Sequence, residues 1–311
     1  MPHHHHHGTA TILKWSFFAT IVFVVVEAIA GFHSGSLALV SDAGHNFTDA
    51  LALVLASVGV YMQSKPADNV KTFGYHRAGV LTAFVNALTL VGIAVFIFYE
   101  AWQRFLHPQH IEEWTMLWVA VVALVLNGAI MLGLHRDKDS DLNIRAAFVH
   151  MLGDAVSSVG IIAGAIAIHF TGLAVIDPAL SVLIGVLIVW TAWDIIQESL
   201  NVLLEGLPRG MELKEVTGAM RQIDGVIDVH DLHIWSLGSS THALSCHVLI
   251  EDMPPSESNA ILHRINDVLC KYEINHTTVQ FEHTKCAMSD APCNILVTAQ
   301  HHEHEHHEHQ H

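Results

Sequence analysis

Six long apolar segments constrain the fold of this chain more than any other feature of its sequence. They lie near residues 12–32, 35–63, 77–104, 114–135, 144–171 and 174–195. A helix needs about 20 apolar residues to cross the hydrocarbon core of a bilayer, and each segment is long enough. Only 14% of the 311 residues are charged, whereas soluble domains have about 25%. The sequence therefore predicts an α-helical membrane protein with six transmembrane helices.

The basic residues of the connections between these segments predict the orientation in the membrane. Two connections, the second and the fourth, each carry three basic residues: Lys65, Lys71 and Arg77; Arg136, Lys138 and Arg145. The other three connections hold only Arg104. Because Lys and Arg are enriched in loops that remain in the cytoplasm, we expect the two basic connections and both termini on that side.

Beyond about residue 199 the sequence predicts a second, α+β domain. Helices are predicted over residues 212–223 and 255–272, and strands over 226–237, 241–251 and 277–283. The order αββαβ predicts a small ferredoxin-like fold. The predicted domains are a His-rich tail (1–11), a six-helix transport domain (12–198), a cytoplasmic ferredoxin-like domain (199–285) and a flexible Cys/His/Glu-rich tail (286–311).

Two His-x-x-x-Asp sequences place ionisable residues inside apolar segments, where such residues are normally excluded. His45 and Asp49 lie in the second segment, and His150 and Asp154 lie in the fifth. Residues four apart share one helix face, so each pair presents an imidazole and a carboxylate together. If the two helices face each other, they supply two nitrogens and two oxygens, which suit tetrahedral Zn²⁺.

These pairs have two possible roles, a metal site or internal hydrogen bonds that hold the helices together. Charged groups in lipid are costly and usually mark a transport path, and one spacing repeated in two segments favours the metal site. Metal binding requires neutral histidines and ionised carboxylates, so protons compete with the metal. Histidine titrates near neutral pH, where such competition is effective. The sequence therefore predicts exchange of a metal for protons.

Two further acidic residues lie in the apolar segments. Asp42, three residues before His45, is a candidate accessory residue on the transport path. Glu27, near the outer end of the first segment, is expected to extend its carboxylate to the membrane interface.

Composition and missing motifs argue against other classes of protein. A net charge of −16 disfavours nucleic acid as a partner. The chain has no Gly-x-x-x-x-Gly-Lys-Ser/Thr loop for an ATP-driven pump and no His-Glu-x-x-His for a metallohydrolase. A metal sensor would not need ligands buried across two helices. We therefore expect a secondary transporter in the lipid bilayer, not an enzyme, with no ATP and no organic cofactor.

Several stretches resemble the cation diffusion facilitators, in particular their bacterial zinc-efflux branch. They are SGSLALVSDAGHNFTDALAL, FGYHRAGVLTAFVNA, NIRAAFVHMLGDAVSSVG and DPALSVLIG. The resemblance implies a homodimer in the bacterial inner membrane that exports Zn²⁺, and also Cd²⁺, in exchange for protons by alternating access. It assigns the transported metal to His45, Asp49, His150 and Asp154.

The resemblance also implies regulatory zinc in the terminal domain. His230, His247 and Glu282 match the positions of the family's ligands best, and His233 and His283 are further candidates on the predicted strands. His230 and His233 are an odd spacing apart, so a regular strand would point them to opposite faces. They are therefore not expected to bind one ion together.

Other accessory positions follow from the resemblance or from residue type. Asp68 and His76 are the candidates for a loop metal site, and Arg77 and Glu205 match a charged pair that braces family dimers. All four cysteines follow residue 240, and no disulfide is expected in the reducing cytosol. Cys286 and Cys293 are either a flexible metal-capturing pair or plain thiols. The His/Glu-rich residues 301–311 either collect zinc or form a solvated tail.

Overall fold

The structure is a computed structural model of the chain, and it describes residues 6–135, 142–238 and 241–284. The chain separates into two compact units between Leu204 and Glu205. Within the described residues, the first unit consists of six helices: α1 (His6–Ser34), α2 (Leu37–Gln63), α3 (Ala78–Leu106), α4 (Glu113–Leu134), α5 (Leu142–Thr171) and α6 (Ile176–Leu203).

Four helices in the described part of the chain are long and apolar enough to cross a membrane. The spans are Ala78–Leu106, Glu113–Gly133, Phe148–Thr171 and Ile176–Leu203, and Thr20–Ser34 in α1 is a shorter apolar stretch. Helix α2 has 27 residues, a length of about 40 Å, but its polar residues, which include Asp42, His45 and Asp49, lower its mean hydropathy. The predicted helical membrane domain is confirmed.

Contacts between neighbouring helices of the first unit form a closed ring in the order α1-α2-α3-α6-α5-α4. Helix α2 packs against α1 and α3, α6 against α3 and α5, and α4 against α5 and α1. Helix α2 also contacts α5 and α6, so the two His-x-x-x-Asp sequences lie on adjacent helices. Small side chains such as Ala38, Ala94 and Ala165 are buried in the shared core. Small residues let membrane helices approach closely, which explains how α2 can contact several neighbours.

The short connections α1–α2 and α3–α4 contact each other at one end of the bundle. Gly35, with a φ of 69°, turns α1 into α2. A Cβ atom at Gly35 would lie 2.8 Å from the carbonyl oxygen of His110, so only glycine fits there without displacement. The Glu112 N–H donates to the Ser34 carbonyl at 2.9 Å.

At the same end, Asp177 of α6 caps the first turn of α2. The Ser36 hydroxyl donates to Asp177 Oδ1 at 2.6 Å, the Leu37 N–H donates to Oδ2 at 2.7 Å, and the Ala38 N–H donates to Oδ1 at 3.1 Å. Arg104 of α3 lies 3.6 Å from Asp177 Oδ2 and also donates to the Gly35 carbonyl. The Asp177 side chain is fully buried. This carboxylate therefore ties α2, α3 and α6 together.

The second unit has the predicted αββαβ order. Its described elements are α7 (Leu213–Arg221), β1 (Asp228–Ser236), β2 (His242–Leu249), α8 (Pro255–Cys270) and β3 (Ile274–Glu282). The sheet order is β1-β2-β3, with β1 antiparallel and β3 parallel to β2. Apolar faces of α7 and α8 cover the sheet and bury residues such as Met220, Ile265 and Leu269. The predicted α+β domain is confirmed.

Candidate metal-transport site

The two His-x-x-x-Asp sequences meet where α2 contacts α5. Asp49 Oδ2 lies 3.6 Å from His45 Nε2 and 3.4 Å from His150 Nε2. Asp154 of α5 places Oδ1 3.7 Å from His45 Nε2 and Oδ2 3.7 Å from His150 Nε2. Each carboxylate therefore approaches both imidazoles, and the four side chains surround one point between the helices.

These distances are close to those that a tetrahedral zinc ion requires. Zinc–nitrogen and zinc–oxygen bonds of about 2.0–2.1 Å separate adjacent ligand atoms by about 3.3 Å. One ligand atom each from His45, Asp49 and Asp154 lies within 4.8 Å of the others. The ring centroid of His150 is 6.1 Å from that of His45, so His150 must move slightly inward to complete a four-ligand set.

The hydrogen bonding of the site leaves ligand atoms available. Asp49 Oδ2 is buried and has no hydrogen-bond partner among the described residues. A buried carboxylate oxygen without a donor is costly, and a cation at this point would satisfy it. The donor set, two imidazoles and two carboxylates, suits Zn²⁺.

Access to the site differs between its two ends. Asp154 is buried, with a side-chain exposure of 6%, whereas the side chain of His150 is 41% exposed. Along α5, Asp154 is nearer than His150 to the end with the short connections. The more exposed ligand candidate, His150, therefore lies toward the opposite end of the bundle.

Glu27 and Asp42 lie between the site and the end with the short connections. Glu27 is fully buried, so the expectation that it reaches the membrane interface is wrong. Its Oε2 accepts a hydrogen bond of 3.2 Å from the Asn46 amide of α2, which keeps the carboxyl group inside the bundle. Asp42 Oδ1 accepts a 2.7 Å hydrogen bond from Ser157 of α5.

In the second unit, His230, His247 and Glu282 form a compact cluster. His230 and His247 lie opposite each other on β1 and β2. Glu282 Oε1 is 2.7 Å from His247 Nδ1, and Oε2 is 3.2 Å from His230 Nε2. Both ring nitrogens of His230 and Glu282 Oε2 are buried without hydrogen-bond partners in the described part of the chain. A deprotonated ring nitrogen of His230 and the Glu282 oxygen offer lone pairs that fit a zinc ion.

A β-bulge between His230 and His233 changes the geometry assumed for a regular strand. Asp231 has a φ of 50°, and its carboxylate lies 3.2 Å from His233 Nε2 and 3.9 Å from His247 Nε2. His233 therefore adjoins the cluster through Asp231, which the sequence analysis did not identify. His283 instead places Nδ1 3.2 Å from the Glu251 carbonyl oxygen.

Asp68 organises the loop between α2 and α3 through its own hydrogen bonds. The Lys71 and Val70 N–H groups donate to Oδ1 at 2.6 and 2.7 Å, and the Tyr75 hydroxyl donates to Oδ2 at 2.9 Å. These hydrogen bonds, that from Lys71 foremost, lower the pKa of Asp68 below its usual value. Both oxygens already have donors, an arrangement that accounts for Asp68 without a metal.

The Asp68→Ala variant tests whether Asp68 acts through the loop or through a metal. We expect faster amide hydrogen exchange at Val70 and Lys71 and an unchanged number of zinc ions bound per chain. Hydrogen-exchange mass spectrometry and equilibrium dialysis measure these quantities. Loss of one zinc ion per chain would instead assign Asp68 to a metal site with His76, which is exposed.

The remaining candidates are two charged residues and the cysteines. Arg77 precedes α3 in the first unit, and Glu205, with a φ of 59°, begins the second unit. Cys286 and Cys293 lie outside the described residues. Cys246 is buried, and burial raises the pKa of its thiol to about 12, which keeps it protonated near neutral pH.

Comparison with known proteins places this fold and site in a family. The chain matches the cation efflux transmembrane domain over residues 13–204 and the cytoplasmic domain of cation efflux proteins over residues 208–284. It is therefore an integral membrane protein of the metal cation efflux class. The chain belongs to the cation diffusion facilitator, or cation efflux, family.

Three relatives illustrate the similarity over nearly the whole chain. The metal cation efflux system protein CzcD of Cupriavidus metallidurans is 40% identical over 93% of this chain and 92% of its own length. The zinc transporter ZitB of Escherichia coli is 38% identical over 98% of this chain and 100% of its own. The "cadmium, cobalt and zinc/H(+)-K(+) antiporter" of Bacillus velezensis is 37% identical, with coverages of 91% and 92%.

Proposed function

We propose that this protein exports Zn²⁺, and also Cd²⁺, from the bacterial cytoplasm in exchange for protons. The observation that carries the proposal is the convergence of His45, Asp49, His150 and Asp154 between α2 and α5. Two imidazoles favour Zn²⁺ over the harder cations Mn²⁺ and Mg²⁺. The names of the relatives, which include a zinc transporter and a cadmium, cobalt and zinc antiporter, support this choice.

Proton exchange follows from the chemistry of the ligands. A protonated imidazole has no lone pair for a metal, and a protonated carboxyl group is a poor ligand, so low pH favours metal release. When the site faces a more acidic exterior, protons displace zinc outward. When it faces the cytoplasm, zinc displaces protons inward.

The exposure of the site supports an inward-open conformation. The positive-inside pattern assigns the end opposite the short connections to the cytoplasm, and the partly exposed His150 lies toward that end. Buried Asp154, Asp42 and Glu27 lie toward the other end. Alternating access would close the inner side and open the outer side around the same four ligands.

The direct test is metal movement across sealed vesicles without ATP. Purified protein in proteoliposomes should transport Zn²⁺ and Cd²⁺, and it should transport Mn²⁺ at least about 10-fold more slowly because Mn²⁺ prefers oxygen ligands. Co²⁺ and Ni²⁺ complete the comparison. Strict dependence on added ATP, or equal rates for Zn²⁺ and Mn²⁺, would contradict the proposal.

We also propose that the cytoplasmic domain binds regulatory zinc and that the protein works as a homodimer with cytoplasmic termini. The His230, His247 and Glu282 cluster supports the first point, since its buried ligand atoms lack partners within the described residues. In the dimer, Arg77 and Glu205 would form a charged pair. This zinc would act through the dimer, not as transported substrate.

His247→Ala tests the regulatory site in the full-length protein. Even residues that only orient metal ligands contribute about 10–100-fold to affinity, so removal of His247 should weaken this zinc site by at least about 100-fold. Zinc titration should then show one fewer tight site per chain while the transport site remains. His283→Ala is the matched control and should bind as much zinc as wild type. Equal binding by both variants would contradict the assignment.

A further inference from the structure

The membrane unit contains a buried acid pair, Glu27 of α1 and Asp42 of α2, outside the proposed metal ligands. Glu27 is 0% exposed and Asp42 is 1% exposed. Their carboxyl groups are close neighbours. Asp42 precedes the nearest ligand, His45, by three residues, and Glu27 reaches α2 at Asn46. The pair therefore adjoins the metal site without belonging to it.

The hydrogen bonds of the acid pair are incomplete in one specific respect. Asn46 satisfies one oxygen of Glu27, and Ser157 satisfies one oxygen of Asp42. The other oxygens, Glu27 Oε1 and Asp42 Oδ2, are buried and have no partner among the described residues. Two ionised carboxylates cannot hydrogen-bond each other because both are acceptors. A proton on one carboxyl group turns it into a donor, which the neighbouring carboxylate can accept.

We propose that Glu27 and Asp42 hold one shared proton and form a proton-binding site separate from the metal ligands. This inference rests on the proposed exchange of metal for protons and adds a carrier for one of those protons. The pair lies on the side of the metal site that faces the short connections, which the positive-inside pattern places outside the cell. Protons from the exterior would therefore meet this pair before the metal ligands.

The surrounding charges couple the acid pair to the metal site. The charges that act on Glu27 include Asp154, and those that act on Asp42 include His45 and Asp49. A divalent cation among these ligands makes the local field more positive and lowers the proton affinity of the pair. By linkage, a proton on the pair weakens metal binding equally. The pair therefore releases its proton when zinc binds and regains one when zinc leaves.

Glu27→Gln is the informative variant because a glutamine amide donates a hydrogen bond as a protonated carboxyl group does, but cannot release the proton. Calorimetric zinc titration of the full-length protein in buffers of different ionisation enthalpy measures the protons released per zinc. We expect Glu27→Gln to release about one proton fewer per zinc than wild type and still bind zinc. Glu113→Gln, a matched substitution in α4 away from the site, should release the wild-type number.

The possible outcomes separate this inference from the proposed function. If wild type releases no protons when zinc binds, the exchange of metal for protons is wrong. If wild type releases protons and Glu27→Gln releases equally many, only the acid-pair proposal is overturned. Asp42→Asn repeats the test, and folded variants that both lose zinc binding would show that the pair belongs to the metal site.

A measurement on the wild-type protein requires no variant to fold. The zinc-induced infrared difference spectrum should show loss of the C=O stretch of a protonated carboxylic acid. An unchanged carboxylic acid band on zinc binding would overturn the proposal.

Discussion

Asp49→Ala is expected to reduce zinc transport in sealed proteoliposomes to the level of empty vesicles. Asp49 Oδ2 lies 3.6 Å from His45 Nε2 and 3.4 Å from His150 Nε2, so its loss removes the carboxylate between the two histidines. The remaining side chains supply two nitrogens and one carboxylate. Because residues that merely orient a metal ligand contribute about 10–100-fold, loss of a ligand should cost at least about 100-fold in transport rate.

Asp194→Ala is the matched control for this experiment. Asp194 lies on α6 of the same unit and is exposed, so its substitution should leave zinc transport near the wild-type rate. Asp154→Ala should fail as Asp49→Ala does. If both site variants are folded and still transport zinc, the site assignment is contradicted.

Asp177→Ala is expected to destabilise the membrane unit by about 3–5 kcal/mol, the usual cost of removing one partner from a buried ion pair. The Ser36 hydroxyl and the Leu37 and Ala38 N–H groups would lose their acceptor, and Arg104 would lose its partner carboxylate. Because this cap joins α2 to α3 and α6, its loss should also loosen the helix that carries His45 and Asp49. Unfolding of the detergent-solubilised protein measures the change.

Asp177→Asn provides a graded comparison with this variant. The asparagine retains one carbonyl oxygen as an acceptor, so we expect a smaller loss of stability than with alanine. The exposed Asp194→Ala variant should change the free energy of unfolding by less than about 0.5 kcal/mol. Equal stability of Asp177→Ala and Asp194→Ala would show that the cap does not hold the bundle together.

Much of the fold was predictable because it depends on local and periodic signals. Long apolar segments predict membrane helices whatever their neighbours, and alternating strands with an amphipathic helix predict the αββαβ domain. The proximity of Asp49 and His150 followed from one assumption, that the second and fifth helices are adjacent, because helical spacing fixes each pair on a single face.

The features that sequence analysis missed depend on contacts between distant residues. The burial of Glu27 depends on its contact with Asn46 of α2, which the sequence does not show. The capping role of Asp177 depends on the start of α2 lying beside α6. A positive φ at Asp231 and the β-bulge bring His233 beside the cluster of His230, His247 and Glu282, and strand periodicity alone predicts the opposite. Only the role of Asp177 had a signal in the sequence, because this acidic residue lies directly before Pro178 at the start of an apolar segment.

Simultaneous measurement of zinc and proton flux shows whether His45, Asp49, His150 and Asp154 exchange zinc for protons. Proteoliposomes with a zinc-sensitive and a pH-sensitive dye inside should show zinc entry together with alkalinisation of the lumen. Both signals should be absent in Asp49→Ala, and an imposed pH gradient, acidic inside, should accelerate zinc entry. Zinc entry that is insensitive to the gradient and accompanied by no proton movement would contradict the account.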